Sequence, residues 1–185
     1  MSIKNKIKLK EAEIIAYRTK TYIAADWSGD IDAVNELYKW NDNKYWGLSF
    51  VDAHDLTTAR DTSLNCSIKA SLKSRLDVSK TFVLIVGSET KNLRSGGCQY
   101  CDDYDSNQSS CDKGKSVDYR SYIQYECDIA NKDISNIVVL YNATTVKKAL
   151  CPETLKSVGT HAAMRYSRDG EQYWDYNAVK KALGQ

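Results

Sequence analysis

A chain of 185 residues with a net charge of +2 can bury one full core, but its charge is too balanced for a polyanion partner such as nucleic acid. Six cysteines with no secretory pattern ahead of them point to a reducing cytoplasm, where burial or a metal explains thiols better than disulfides do. One proline and 13 tyrosines exclude a low-complexity linker, and no stretch is long enough to cross a membrane.

Residues 1–20 read as a polar, solvated N-terminal extension with a short helix through Glu11–Tyr17. Its basic run, Lys4, Lys6, Lys8 and Lys10, has no apolar segment behind it and so is not a secretion signal. The domain is then 21–185. Thr21–Ala25 predicts a first strand that ends in the polar loop Asp26-Trp27-Ser28-Gly29-Asp30. Ile31, Val34, Leu37 and Tyr38 have helical spacing. Tyr45–Val51 predicts a second strand ending at Asp52-Ala53-His54-Asp55, followed by a helix with Leu64, Ile68, Leu72 and Leu76 four apart.

Thr81–Gly87 is the plainest strand, apolar without interruption, and Asn136–Tyr141 shares its character. Unbroken apolar runs of this kind belong to strands covered on both faces, as in parallel sheets. A fifth strand is expected through His161–Tyr166, a turn at Ser167–Gly170, and a closing helix over Tyr176–Leu183. Strands alternating with helices give a doubly wound, three-layered α/β fold, here a flavodoxin-like parallel sheet of about five strands in the order 2-1-3-4-5. Its crevice opens at the carboxyl ends of the first and third strands. That places Asp26, Trp27, Ser28 and Asp30, then Gly87, Ser88 and Glu89, at one edge, with Asp52, His54 and Asp55 alongside.

The most informative stretch is Ser116–Ala130. As a helix capped by Ser116 it puts Tyr119, Tyr122, Ile123, Glu126, Cys127 and Ala130 on one stripe. A carboxylate on that stripe is costly unless it is paired or faces a cleft. Glu126 therefore either reaches water or an arginine at the stripe's edge, or it belongs to a site.

Between the third strand and this helix, residues 89–115 form a long loop rich in Cys, Asp and Ser. Cys98 and Cys101 have the C-x-x-C spacing that lets two thiolates hold one metal, and Cys111 follows closely. A structural zinc is one reading, though a fourth ligand is not evident: Cys127 would have to come from the helix, and no His lies close in sequence. A loop with free thiols is the other. No Cys–His pair near Glu126 suggests a cysteine nucleophile. Rossmann glycines are missing, which argues against a dehydrogenase. Asp52 ends the second strand rather than the third, which argues against a phospho-acceptor receiver.

The order of these elements resembles a Toll/interleukin-1 receptor (TIR) domain, and more narrowly the TIR-like sensors of bacterial Thoeris anti-phage systems. The resemblance rests on Tyr22–Asp26, Phe50–Asp55, Ser67–Leu72, Ser79–Ser88 and Tyr122-Ile123-Gln124-Tyr125-Glu126, and covers about residues 20–166. The last motif is similar to the family's aromatic-x-x-x-Glu helix, whose Glu is catalytic in TIR enzymes that cleave NAD; Tyr122 stands where Trp is usual. The resemblance implies NAD as substrate without a required cofactor, and an ADP-ribose-derived product, cyclic or conjugated, that activates a separate effector protein. It also implies a phage-derived trigger, assembly into a homo-oligomer on activation, and a cytoplasmic location. In that reading Glu126 is catalytic. Asp26, Trp27, Ser28, His54, Asp55, Ser88 and Tyr122 bind or frame the substrate: Trp27 would stack on nicotinamide or adenine, or simply pack at the surface, and Asp26 would orient loop amides. TIR domains also serve as non-enzymatic interaction modules, and the fold does not choose between the two.

Overall fold

The computed structural model describes residues 18–53 and 64–185. The helix expected through Glu11–Tyr17 lies outside the described residues. The centre is a parallel sheet of β1 (Lys20–Ala24), β2 (Ser79–Val86), β5 (Asn136–Tyr141) and β6 (Thr160–Ala163), in the order β1-β2-β5-β6. Helices α1 (Ile31–Asp42), α2 (Asn65–Asp77), α3 (Tyr122–Asp133) and α4 (Tyr176–Ala182) cover it on both sides. This is the α/β, flavodoxin-like arrangement. Among the described residues, no helix is long and apolar enough to cross a membrane.

Alternation along the strands builds the two outer layers. Tyr22, Phe82, Leu84 and Val139 face α2 and α3, where they meet Leu76, Ile123, Cys127 and Ala130. Ile23, Val83, Ile85 and Val138 face the other way, toward α1 and α4, and meet Val34, Leu37, Trp40 and Val179. Val83 pairs with Val138 in register, and Val83, Ile85, Val138 and Val139 are all fully buried. Each contributes roughly 1.5–3 kcal/mol by leaving water.

Three expectations need correction. Tyr45–Val51 is not a strand: Lys44–Trp46 turns, and only Asp52 forms a parallel bridge, with Thr21, beside β1. The expected five-strand order is thus four strands with a one-residue bridge in the second strand's place. The fifth strand, β6, starts and ends earlier than its apolar residues suggested. Beyond it, the turn at Asp169-Gly170 joins a hairpin of β7 (Arg165–Arg168) and β8 (Glu171–Trp174) that the sequence did not announce. Both turn residues have positive φ, 54° and 84°, the geometry a two-residue hairpin requires. A smaller hairpin, β3 (Tyr104–Asp105) with β4 (Ser110–Cys111), lies in the cysteine loop.

Candidate functional site

The third helix begins later than its sequence suggested. Ser121, not Ser116, is the N-cap, and its Oγ accepts the Gln124 N–H at 3.2 Å. The preceding residues are held elsewhere: the Asp118 carbonyl accepts from the Cys98 N–H at 3.0 Å and from Lys69 Nζ at 3.0 Å. Buried Lys69 also pairs with the Asp118 carboxylate at 3.4 Å. Tyr119 is consequently exposed rather than part of the inner stripe. From Tyr122 onward the stripe is as its spacing predicts, with Ile123, Glu126, Cys127 and Ala130 buried.

Glu126 is only 6% exposed. Its Oε1 accepts a hydrogen bond from the Tyr22 hydroxyl on β1. Burial pushes its pKa up from 4.5 to about 7, against the pull of that hydrogen bond and of the Arg75 charge. Tyr22 is pushed up in turn, by its own burial and by the neighbouring carboxylate.

The carboxyl forms part of the wall of a cleft of about 260 Å³. Trp27 and Tyr122 supply aromatic surface to it, Ile68 and Leu72 apolar surface, and Arg75 a cation. Ligand pockets usually run from about 300 Å³ upward, so this one suits a ring and its sugar better than a whole dinucleotide. Tyr122 is fixed by donating from its hydroxyl to Asn65 Oδ1 at 2.8 Å. Gly96, at φ +97°, lies against its ring, where a Cβ would stand 2.5 Å from Cδ1. An ionised carboxylate and a flat aromatic wall can hold a positively charged ring and stabilise a developing cation beside it, while Arg75 favours the ionised form of the acid.

The expected residues divide. Asp26, Trp27, Tyr122 and Glu126 line this one cleft. Asp26 Oδ1 also accepts the Ser28 N–H at 3.1 Å, so it orients the loop backbone. Ser28 itself is exposed and does not line the cleft. Ser88 lines a different cleft of about 210 Å³, with Asp30, Asn142 and Lys147. His54 and Asp55 lie outside the described residues.

Tyr22 and Arg75 were not expected. A tyrosine inside an otherwise apolar strand was the available signal for the first. Arg75, between Leu72 and Leu76 on the helix, was the signal for the second.

Cys98, Cys101 and Cys111 border a single small void, and the fourth thiol there is Cys66 of α2. Cys127 is instead buried against the sheet, in the same core layer as Cys151. All six thiols are free, and among the described residues no three metal-binding side chains already converge as a ligand set.

Residues 15–95 match the family model described as Thoeris protein ThsB, TIR-like domain. That span takes in β1, α1, α2 and β2 and ends before Glu126. No curated protein matches the chain. Over that span the chain is similar to the TIR-like domain of Thoeris protein ThsB, and the parallel sheet wrapped on both faces is the fold such a likeness implies.

Proposed function

We propose that the chain cleaves NAD at the bond between nicotinamide and ribose and makes an ADP-ribose-derived signal, cyclic or conjugated, that activates an effector in anti-phage defence. The observation that carries this is Glu126, a carboxyl buried in the wall of a cleft and hydrogen-bonded to Tyr22. Nicotinamide in NAD is cationic and leaves neutral, so the glycosidic electron pair returns to the ring nitrogen without a general acid. This differs from ordinary glycosides, where paired carboxylates share the work.

What remains is an oxocarbenium-like ribose. An anion held beside it in a cleft of low dielectric stabilises that charge far better than water-exposed carboxylate does. Trp27 and Tyr122 offer faces on which the nicotinamide ring can stack. The Tyr22 hydrogen bond and, to a lesser degree, the Arg75 charge keep part of Glu126 ionised near neutrality by opposing the effect of burial. Water at the ribose carbon would yield ADP-ribose, the substrate's own adenine or ribose a cyclic product, and an outside nucleophile a conjugate; each loses a proton to solvent. The small cleft fits a substrate whose remaining half lies beyond it, consistent with activation by assembly.

Mass spectrometry of NAD incubated with the protein, with and without lysate of phage-infected cells, tests the reading. We expect nicotinamide and one ADP-ribose-derived product. Intact NAD under both conditions, with the chain folded and assembled, would instead favour an interaction module.

A further inference from the structure

Four of the six cysteines meet at one place that the reaction does not use. Cys66 is the second residue of α2. Cys98 and Cys101 bracket a 3-10 turn, Cys98–Tyr100, and Cys111 ends β4. These four thiols border a void of about 10 Å³, the room of a single small atom. Aspartate and lysine complete its rim, with Lys115 lining the void and Lys113 3.6 Å from Asp103.

We propose that Cys66, Cys98, Cys101 and Cys111 bind one zinc ion in a tetrahedral four-thiolate site that pins the lip of the Glu126 cleft. The arrangement follows the chemistry of structural zinc: two thiols two residues apart on a tight turn, a short hairpin, a third thiol on its returning strand, and a fourth from another element. The Cys98 sulfur already accepts the Asp118 N–H at 3.2 Å, the type of backbone bond that stabilises a thiolate. Cys66 sits in the first turn of a 13-residue helix, which fixes its backbone at the edge of the void. Lys115 offsets the net negative charge of four thiolates around a dication.

The thiols do not yet stand at ligand distance from one point, so binding draws them inward to about 2.3 Å from the metal and displaces four protons to solvent. The void lies beside the cleft. Asn65, the neighbour of Cys66, accepts from the Tyr122 hydroxyl and donates to the Gly97 carbonyl at 3.0 Å. Zinc therefore ties α2, the loop and the start of α3 into one lip. The site stands independently of NAD cleavage.

The test uses the full chain purified under reducing, zinc-replete conditions. Elemental analysis should find close to one zinc per chain, in Glu126→Gln as much as in the parent. Cys66→Ser and Cys98→Ser should each lose most of it, and Cys66→His, which keeps a ligand, should retain it. Chelator-stripped parent titrated with cobalt(II) should show thiolate-to-cobalt charge transfer. Should Cys66→Ser prove insoluble, alkylation of the parent followed by peptide mass spectrometry decides. Cys66, Cys98, Cys101 and Cys111 should be protected with zinc and reactive without it. Absence of zinc together with no cobalt signal would overturn the site. Full zinc in Cys66→Ser, or equal Cys66 alkylation with and without metal, would overturn the fourth ligand.

Discussion

Two carboxyls are buried near the carboxyl edge of this sheet, and they are not equivalent. Asp30 is 4% exposed and Glu126 is 6% exposed, and burial raises the pKa of both. Asp30 accepts from Asn142 Nδ2 at 3.0 Å and lies against Gly87, where a Cβ would stand 2.1 Å from its Oδ1. Asn142 continues to Asp32 and Arg165, so Asp30 belongs to a polar network that clamps loop ends together. Glu126 has the Tyr22 hydroxyl on one side and the cleft on the other. Burial alone does not mark a reactive acid. What distinguishes Glu126 is that it faces a cleft, walled by Trp27, Tyr122, Ile68 and Leu72 with Arg75 nearby, where its charge is strong when present.

The largest expected difference is in rate. Glu126→Gln keeps size and shape but removes the charge, and should slow nicotinamide release on the order of a hundred-fold or more. Asp30→Asn should leave the rate within a few-fold. Equal losses in the two variants would erase the contrast.

Stability should separate them next. Below the ordinary value of 4.5, Glu126 is protonated whether the chain is folded or unfolded, and its burial as a neutral group is tolerated. As pH rises from 4.5 to about 7, the unfolded chain ionises first, so the parent loses stability across that window and no further above it. Glu126→Gln escapes this loss and should gain on the order of 3 kcal/mol over the parent at pH 8, with little gain at pH 4. Denaturant melts at both pH values check it; a Gln variant less stable than the parent at pH 8 would mean that the carboxylate serves the fold.

Gly87→Ala aims at the other acid. Its new Cβ meets the Asp30 carboxylate, and displacing that group should cost about 1–3 kcal/mol without touching the Glu126 cleft. The smallest effect is expected from Tyr22→Phe. Loss of its hydrogen bond to the carboxylate should move the Glu126 titration up by about one pH unit.

Much of this contrast was legible in the residues. Glu126 announced itself as a carboxylate on an apolar stripe, and the runs Thr81–Gly87 and Asn136–Tyr141 announced the sheet's centre because buried parallel strands need no alternation. Asp30 was legible as a residue of the crevice edge but not as a buried one, since a loop aspartate after a strand reads as solvated until Gly87 and Asn142 are seen against it. The N-cap lies at Ser121 rather than at Ser116, because the long-range hold of Lys69 on Asp118 keeps the earlier residues out of the helix. Lys69 and Arg75 are buried beside Leu76 on α2, which the helix's leucine spacing did not suggest. The hairpin β7–β8 is polar on both strands and carries no period to detect. Cys66 lies 32 residues before Cys98, a distance that only folding closes.

The measurement that bears most directly on the central claim is the pH dependence of kcat/KM for nicotinamide release by the assembled parent protein, which reports ionisations of the free enzyme. If the ionised form of Glu126 is the one that stabilises the ribosyl cation, the rate should climb with pH and level off, with a midpoint at about 7. Residual turnover in Glu126→Gln should show no such rise. A parent profile that is flat from pH 5 to 9, or that falls through neutrality, would contradict the assignment.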